Sequence, residues 1–535
     1  MNKAAGPVRQ PNFLIFLTDQ HRADHLGCYG NPVVRTPNID AIAGRGWRFE
    51  RCYVSNPVCM PNRGAMMTGR MPSVTGARGN GVPLPLESVT FADVLSEFGY
   101  RTALIGKSHL QNMEDRPPAL PPAPPVSTRP SPRYPEARRV DLHDPAYRQE
   151  LRSSWERPEH QLTLPYYGFQ DVVLCNHHAD ECFGDYLRWL QKAHPEVADR
   201  IGREHGRRDP GYVAPQAWHT QLNEFQYPTH YIAEQAMEWL GIHASERPGQ
   251  PFALMCSFPD PHHPWTPPGR YWDMYDPDAV ELPASAASGG QAERHVQWLQ
   301  RERADGRAQL ETPRMFAANA REIQEIMALT YGMITNIDDR IGMIMDKLRA
   351  LDLERDTVVI FTSDHGDLMG DHGIMLKGPL HYQGLVRVPF IWSDPEGGTG
   401  TRDDLGSSMD LGPSILRRAN ITAPHGVQGC ALFDEQGESL PSGRQAALIE
   451  ESQQRAYVGF DTPVQVRTLV TRRYRLSLYH EGDWGELYDL QEDPGECRNL
   501  WGDEGSRALR QALVEELART LMRHADMCPK PTSLA

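Results

Sequence analysis

Cys59-Met60-Pro61-Asn62-Arg63 sets a thiol, a proline and a guanidinium close together, ahead of a stretch from Gly64 to Arg70 that reads as a short helix running into a turn. A thiol at a helix start sits where backbone N–H groups and the helix dipole favour an anion. Taken alone, a cysteine beside a proline turn is more often a small buried hydrophobe than a nucleophile. Other groups in the chain change that balance. Asp19-Gln20 and Asp364-His365 offer mostly oxygen donors, which suits one hard divalent cation. Calcium is the first expectation and magnesium the next, with the imidazole of His365 leaving manganese open. Lys107 and Lys377 can neutralise anionic oxygens as charge develops. His109 and His262 are candidates for proton transfer near neutral pH. Arg63 is placed to hydrogen-bond the nucleophile or a carboxylate ligand. An unmodified Cys59 would be a thiol nucleophile with no evident partnered base.

These groups share a context. Residues 12–18, 102–105, 252–258 and 357–362 are short apolar runs, and each ends in ionisable residues: Asp19, Lys107, the Pro261-His262 stretch, and Asp364. A further short strand is expected over 388–392, after Lys377. Between the runs lie helical patterns, at 36–43, 91–98, 229–240 and 323–351, the last with Ile334, Ile337, Ile341, Ile344 and Leu348 at core spacing. Apolar strands alternating with helices predict an α/β fold with a mostly parallel central sheet and helices on both faces. In such sheets ligands bind beyond the carboxyl ends of the strands. The four polar strand ends are thus expected to converge on one edge, which scattered surface residues would not do.

Two stretches interrupt the pattern, at about 115–165, with a proline-dense arm over 116–135, and at about 195–225. They are expected to be irregular insertions, and the arm suggests a homodimer contact. Pocket walls are expected from the arm and from residues near 200–220 and 280–315. After residue 396 the character changes. Residues 464–470 and 474–479 alternate apolar and polar as half-buried antiparallel strands do, and a last helix is expected over 506–523. This predicts a catalytic domain over 1–396 and a smaller α+β subdomain with an antiparallel sheet over 397–535.

A net charge of −15 and the lack of a basic stripe argue against a nucleic-acid partner. No stretch approaches the roughly 20 apolar residues that span a bilayer, so no membrane partner is expected. Residues 1–11 lack the apolar core of a signal peptide. The nine cysteines are scattered and without zinc-type spacing, which suits a reducing compartment. The expected address is cytoplasmic.

Over residues 11–500 the chain resembles the type I sulfatases of the alkaline phosphatase superfamily. The resemblance rests on Cys59-x-Pro61-x-Arg63 with Thr68-Gly69-Arg70, Gly106-Lys107-x-His109, Pro261-His262-x-Pro264, Asp364-His365-Gly366, and Lys377 ahead of Arg387-Val388-Pro389. The closing Asp493-Pro494-x-Glu496-x-x-Asn499-Leu500 is also similar to the family's ending. The resemblance implies that a maturation enzyme oxidises Cys59 to formylglycine, whose hydrate is the nucleophile. It implies Asp19, Gln20, Asp364, His365 and modified Cys59 as metal ligands. Arg63 would hold the formylglycine, Lys107 the sulfate, and His109 would take the proton that lets the sulfated hydrate collapse. His262 and Lys377 would bind sulfate and assist the leaving group. Many members carry Asp-Asp and Asp-Asn where this chain has Asp19-Gln20 and Asp364-His365. That variant is similar to choline sulfatases and phosphonate monoester hydrolases, although the latter generally lack the Lys-x-His pair found at Lys107 and His109. The expected function is hydrolysis of small anionic aryl or alkyl sulfate monoesters. The alternatives are a phosphonate monoester or phosphodiester hydrolase on the same site and a non-catalytic binder of sulfated ligands.

Overall fold

The computed structural model describes residues 10–116, 137, 141–142, 144–286, 293–529 and 532. In chain order, its main elements begin with β1 (Asn12–Thr18), β2 (Trp47–Tyr53), α1 (Cys59–Thr68), β3 (Arg101–Gly106) and β4 (Asp171–Asn176). Next come α2 (Pro228–Glu246), β5 (Phe252–Ser257), α3 (Ala320–Ala350), β6 (Thr357–Ser363) and β7 (Arg387–Ser393). The last are β8 (Ala446–Ala456), β9 (Pro463–Thr471), β10 (Tyr474–Tyr479), β11 (Gly485–Asp489) and α4 (Arg507–Arg523). Most of the proline arm lies outside the described residues. No helix among the described residues is long and apolar enough to cross a membrane.

The large sheet runs β2-β7-β6-β1-β5-β3-β4, with short strands at both edges. From β6 to β4 the strands are parallel, while β7 is antiparallel to β6 and β2. The four apolar runs read in the sequence are adjacent, and their ends are in register. Thr18 pairs with Ser363, and both Leu17 and Gly106 pair with Ser257. β1 is buried throughout and its alternate residues serve two cores. Phe13, Ile15 and Leu17 join one; Leu14 and Phe16 join the other, with Ile232, Ala236 and Leu240 of α2 and Ile334, Ile337, Ile341 and Ile344 of α3. The length of α3 follows from a capping box, Asn319 with Glu322, and from that uninterrupted apolar stripe. A helix or loop layer on each face satisfies the expectation for a strand that is apolar on both sides.

The second sheet, β8-β9-β10-β11, is antiparallel throughout. Its Leu448, Leu469, Leu476 and Leu487 pack with Leu513 and Leu517 of α4. Residues 397–445 behave otherwise: strands Gly400–Arg402 and Gly406–Ser407 pair with β2, so this stretch completes the edge of the large sheet before the antiparallel sheet starts. The 195–225 stretch is irregular apart from the turn Pro195–Ala198, and its charges are tied down: Arg203 and Arg208 pair with Glu311, and Glu325 accepts from the backbone N–H groups of Val213 and Ala214.

Candidate active site

Arg63 holds the strand ends together. Its Nε donates to Asp364 Oδ2 at 2.7 Å and its Nη2 to Asp19 Oδ2 at 3.3 Å. Its Nη1 donates to the Lys107 carbonyl and to Ser257 Oγ, both at 2.9 Å. One buried guanidinium therefore contacts groups at the ends of β1, β3, β5 and β6. The planar fork of arginine is suited to this, whereas a lysine could reach only part of the set. Arg63 makes no hydrogen bond to Cys59 Sγ among the described residues. Asn62 anchors the same helical turn: its Oδ1 accepts from Ser55 N at 2.9 Å and Ser408 Oγ at 2.8 Å, and its amide donates to the Asp364 carbonyl. Gly106, at φ +114°, lets β3 turn into the site, since a Cβ there would lie 2.0 Å from the Ser257 carbonyl oxygen.

Cys59 is the first residue of α1, and its Sγ lies 2.9 Å from Lys377 Nζ, 3.2 Å from His365 Nε2 and 3.8 Å from Asp19 Oδ1. Burial and Asp19 push the thiol up, but Lys377, His365 and Lys107 outweigh them and leave it below the ordinary cysteine range. Lys377 Nζ also lies 2.8 Å from His262 Nε2 and 3.0 Å from His365 Nε2. Lys107 Nζ donates to Asp19 Oδ2 at 2.6 Å and lies 2.7 Å from His178 Nε2. Cys59, Asp19, Lys107, Asp364 and His365 are fully buried, whereas Lys377 and His178 are half-buried and mark the open side.

Burial, Lys107 and Arg63 push the imidazole of His109 far below its ordinary range, and burial, His178 and Lys377 do the same to His262. Both are therefore neutral at pH 7. His109 is buried with Nδ1 unpartnered, and it sits at φ +53° in the left-handed region. Gln20, at φ +61°, shares that rare backbone state.

The donors suit a divalent cation. Atoms of Asp19, Cys59, Asp364 and His365 all lie within 4.8 Å of one another. The Gln20 side-chain nitrogen donates to the Asp367 carboxylate and lies 3.1 Å from His263 Nδ1, which leaves its amide oxygen buried without a hydrogen-bond partner. A carboxylate can only accept, so the orphaned atom is the oxygen, the one able to ligate a hard cation. His365 Nδ1 lies 2.7 Å from the Gly366 carbonyl, which fixes the tautomer with its Nε2 lone pair toward the cluster. Burial and Lys377 lower the His365 imidazolium, but Asp364, Cys59 and Asp19 overcome them and raise it to about 10.

The structure brings together Asp19, Cys59, Arg63, Lys107, His262, Asp364, His365 and Lys377 through direct contacts. Gln20 joins through its backbone N–H, which donates to Asp364 Oδ1 at 3.2 Å. His109 feels the charges of Lys107 and Arg63 but makes no hydrogen bond to the cluster among the described residues. Sequence reading missed His178, whose ring stacks on His262 with centroids 3.5 Å apart and planes 11° apart. Asp19, His178 and His262 form a second close group of donors. His178 follows β4, a strand left unread in the sequence, and only recognition of that strand end would have pointed to it. His263 and Asp367 were likewise missed, although each adjoins a motif.

Asp260, two residues before His262, carries a testable cost. Its carboxyl accepts from Thr229 Oγ1 at 2.9 Å, its other oxygen is unpartnered, and burial pushes it up to about 7. The fold prefers the protonated acid, so the unfolded chain ionises first and stability falls as pH rises from the unfolded value to about 7, then levels. Asp260→Asn should remove that loss. Denaturant midpoints at pH 5 and pH 8 should draw apart in the wild type by the equivalent of a few kcal/mol more than in the variant; equal pH dependence would refute the assignment.

A family model described as Sulfatase matches residues 11–421, and one described as N-sulphoglucosamine sulphohydrolase, C-terminal, matches residues 370–523. The arylsulfatase of Clostridium perfringens is 28% identical over 95% of this chain and 94% of its own. The choline-sulfatase of Rhizobium meliloti is 23% identical over 92% of this chain and 84% of its own. In fold, the chain is similar to the phosphonate monoester hydrolase of Agrobacterium radiobacter, with a TM-score of 0.75 at 24% identity and 98% of each chain covered.

Proposed function

The chain belongs to the sulfatase family, and on that premise we propose that it hydrolyses sulfate monoesters, aryl or small alkyl, at the cluster around Cys59. The observation that carries this reading is the position of Cys59 Sγ, which lies 3.8 Å from Asp19 Oδ1, 3.2 Å from His365 Nε2 and 2.9 Å from Lys377 Nζ. A nucleophile, a cation site and an ammonium group thus meet at one buried point.

In this reading Asp19, Gln20, Asp364, His365 and residue 59 hold one divalent cation, with calcium the first expectation and manganese or magnesium the others. When bound, the cation polarises a sulfate oxygen and orients the nucleophile. Formylglycine at position 59, made by a separate maturation enzyme, supplies geminal hydroxyls, one to attack sulfur and one to open a route for sulfate release. Lys107 and Lys377 compensate the charge on the non-bridging oxygens. Lys377 and His262, in contact at 2.8 Å, face the leaving oxygen from the open side. His109, neutral with Nδ1 unpartnered, takes a proton. Arg63 holds Asp19 and Asp364 in place through its hydrogen bonds to both carboxylates. His178, against Lys107 and His262, positions both.

A second reading, phosphonate monoester or phosphodiester hydrolysis, draws on the pairs Asp19-Gln20 and Asp364-His365. Lys107 and His109 favour sulfate. One comparison tests both readings: kcat/KM should be at least about tenfold higher for an aryl sulfate than for an aryl phosphonate, and the reverse order would select the second reading. Intact mass should lie about 18 Da below that of the unmodified chain. An unmodified and fully active protein would contradict the nucleophile. The complete set of Cys59, Arg63, Lys107, His109 and Lys377 speaks against a binder without turnover.

A further inference from the structure

One carboxylate outside the Cys59 cluster ties together the two loops that carry His109 and His178. Glu150, fully buried between β3 and β4 in sequence, accepts through Oε1 from Ser108 Oγ at 2.8 Å and Tyr166 Oη at 2.6 Å. The same oxygen accepts from the backbone N–H groups of Leu110 at 3.1 Å and Gln111 at 3.2 Å. Its Oε2 accepts from Asn176 Nδ2 at 2.7 Å, and Asn176 Oδ1 accepts in turn from Ser108 N at 3.0 Å. Asn176 ends β4, two residues ahead of His178. Burial raises the Glu150 carboxyl above its ordinary range, against the pull of Tyr166, Ser108, Asn176 and Leu110.

The loop after β3 is thus gripped through both kinds of backbone group. The carbonyls of Lys107 and Ser108 accept from Arg63 Nη1 at 2.9 and 3.5 Å. The N–H groups of Ser108, Leu110 and Gln111 go to Asn176 and Glu150. His109 lies between these anchors at φ +53°, a backbone state that a non-glycine residue keeps only where its surroundings over-determine it. Gln111 adds another tie, since its Oε1 accepts from Gln149 N at 3.0 Å and its amide donates to the Ala146 carbonyl at 2.8 Å.

The donors around Glu150 leave no place for an amide. Backbone N–H groups and the Asn176 NH2 cannot accept, and they reach both carboxylate oxygens. In Glu150→Gln one end of the side chain becomes a donor. Turned to the loop, it meets the N–H groups of Leu110 and Gln111. Turned to Asn176, it can be accepted only if that amide flips, which sets its NH2 against Ser108 N–H. Either way two donors face each other. Glu150→Gln/Asn176→Asp exchanges acid and amide and gives every donor an acceptor again.

We propose that Glu150 is a positioning residue for His109: through the N–H groups of the loop it holds the imidazole where it takes a proton, and through Asn176 it keeps the His178 loop in step. The inference rests on the proposed role of His109 in sulfate ester hydrolysis, and it makes that role depend on a buried acid that touches neither substrate nor cation.

Kinetics of the mature enzyme with an aryl sulfate, in wild-type and His109→Ala backgrounds, test it. Glu150→Gln should lower kcat by about 30-fold or more and leave KM within about threefold. In the His109→Ala background the same change should alter kcat by less than about threefold, because the group it positions is gone. An unchanged kcat, or equal losses in both backgrounds, overturns the proposal. Should Glu150→Gln not fold, Ser108→Ala takes its place: it removes one Glu150 contact beside His109 and should cost about fivefold in kcat only where His109 is present. An equal loss in both backgrounds again overturns the proposal. Glu150→Gln/Asn176→Asp should fold and recover kcat to within about fivefold of wild type; a folded but impaired exchange variant refutes the donor assignment. A last measurement needs no turnover. With isotope-labelled histidine, the His109 ring signal in NMR, identified by its loss in His109→Ala, should move in Glu150→Gln or Ser108→Ala and return in the exchange variant. An unmoved signal overturns the positioning. A protein that hydrolyses no sulfate ester would refute the proposed reaction, and the spectrum then decides the role of Glu150 alone.

Discussion

Cys59→Ala lowers kcat/KM for an aryl sulfate by at least about 10^4-fold and leaves the chain folded. The size of the effect follows from the geometry. Every cationic or proton-accepting group at the site is arranged around a nucleophile attached at residue 59, and none offers a substitute. Lys377 Nζ lies 2.9 Å from Sγ, and its ammonium form is favoured by Cys59 and Asp19 against the pull of burial. Asp19 and Asp364 are engaged by Arg63 and Lys107. His365 is tied by Nδ1 to its own loop. Alanine removes one heavy atom from a buried helix start, so the stability change should stay within about 2 kcal/mol. Circular dichroism and a denaturant midpoint near that of the wild type establish the fold, and an assay establishes the loss. Turnover within tenfold of wild type would remove residue 59 from the chemistry.

Much of this site was legible because parallel sheets gather strand ends. Asp19, Lys107, His262 and Asp364 are far apart in sequence, yet each follows an apolar run, and the registers Thr18 with Ser363 and Gly106 with Ser257 bring them to one edge. What stayed hidden had no such mark. β2 carries Arg48, Glu50 and Arg51 among its aromatics, and the far half of β8 reads Glu-Glu-Ser-Gln-Gln-Arg, so neither shows the pattern of a buried strand. β4 begins with half-exposed residues next to the edge of the sheet, and with it went His178. Arg63 was readable as functional but not as the brace of four strand ends, because its partners lie across long sequence separations that only the sheet brings close.

Asp19→Asn tests the other half of the site, since it keeps the shape of the side chain and removes its charge. One carboxylate oxygen accepts from Lys107 at 2.6 Å and from Arg63 at 3.3 Å; the other faces His365 Nε2 at 3.4 Å and Cys59 Sγ at 3.8 Å. An amide at that position can accept through only one atom and would point its NH2 toward a cation or toward the metal donors. Leaving buried Lys107 without its carboxylate costs on the order of 3–5 kcal/mol. The cation loses an anionic ligand as well, so turnover should drop by at least about 10^3-fold and bound metal should fall well below one ion per chain. Asp24→Asn is the control: Asp24 also pairs with a buried arginine, Arg22, at 2.8 Å, but it is partly exposed and outside the donor cluster. That variant should lose some stability and keep its metal, as read by elemental analysis of the purified protein. If Asp19→Asn retained a full complement of metal, the dense charge around Asp19 would be explained by Arg63 and Lys107 alone, and the cation would have to be held elsewhere.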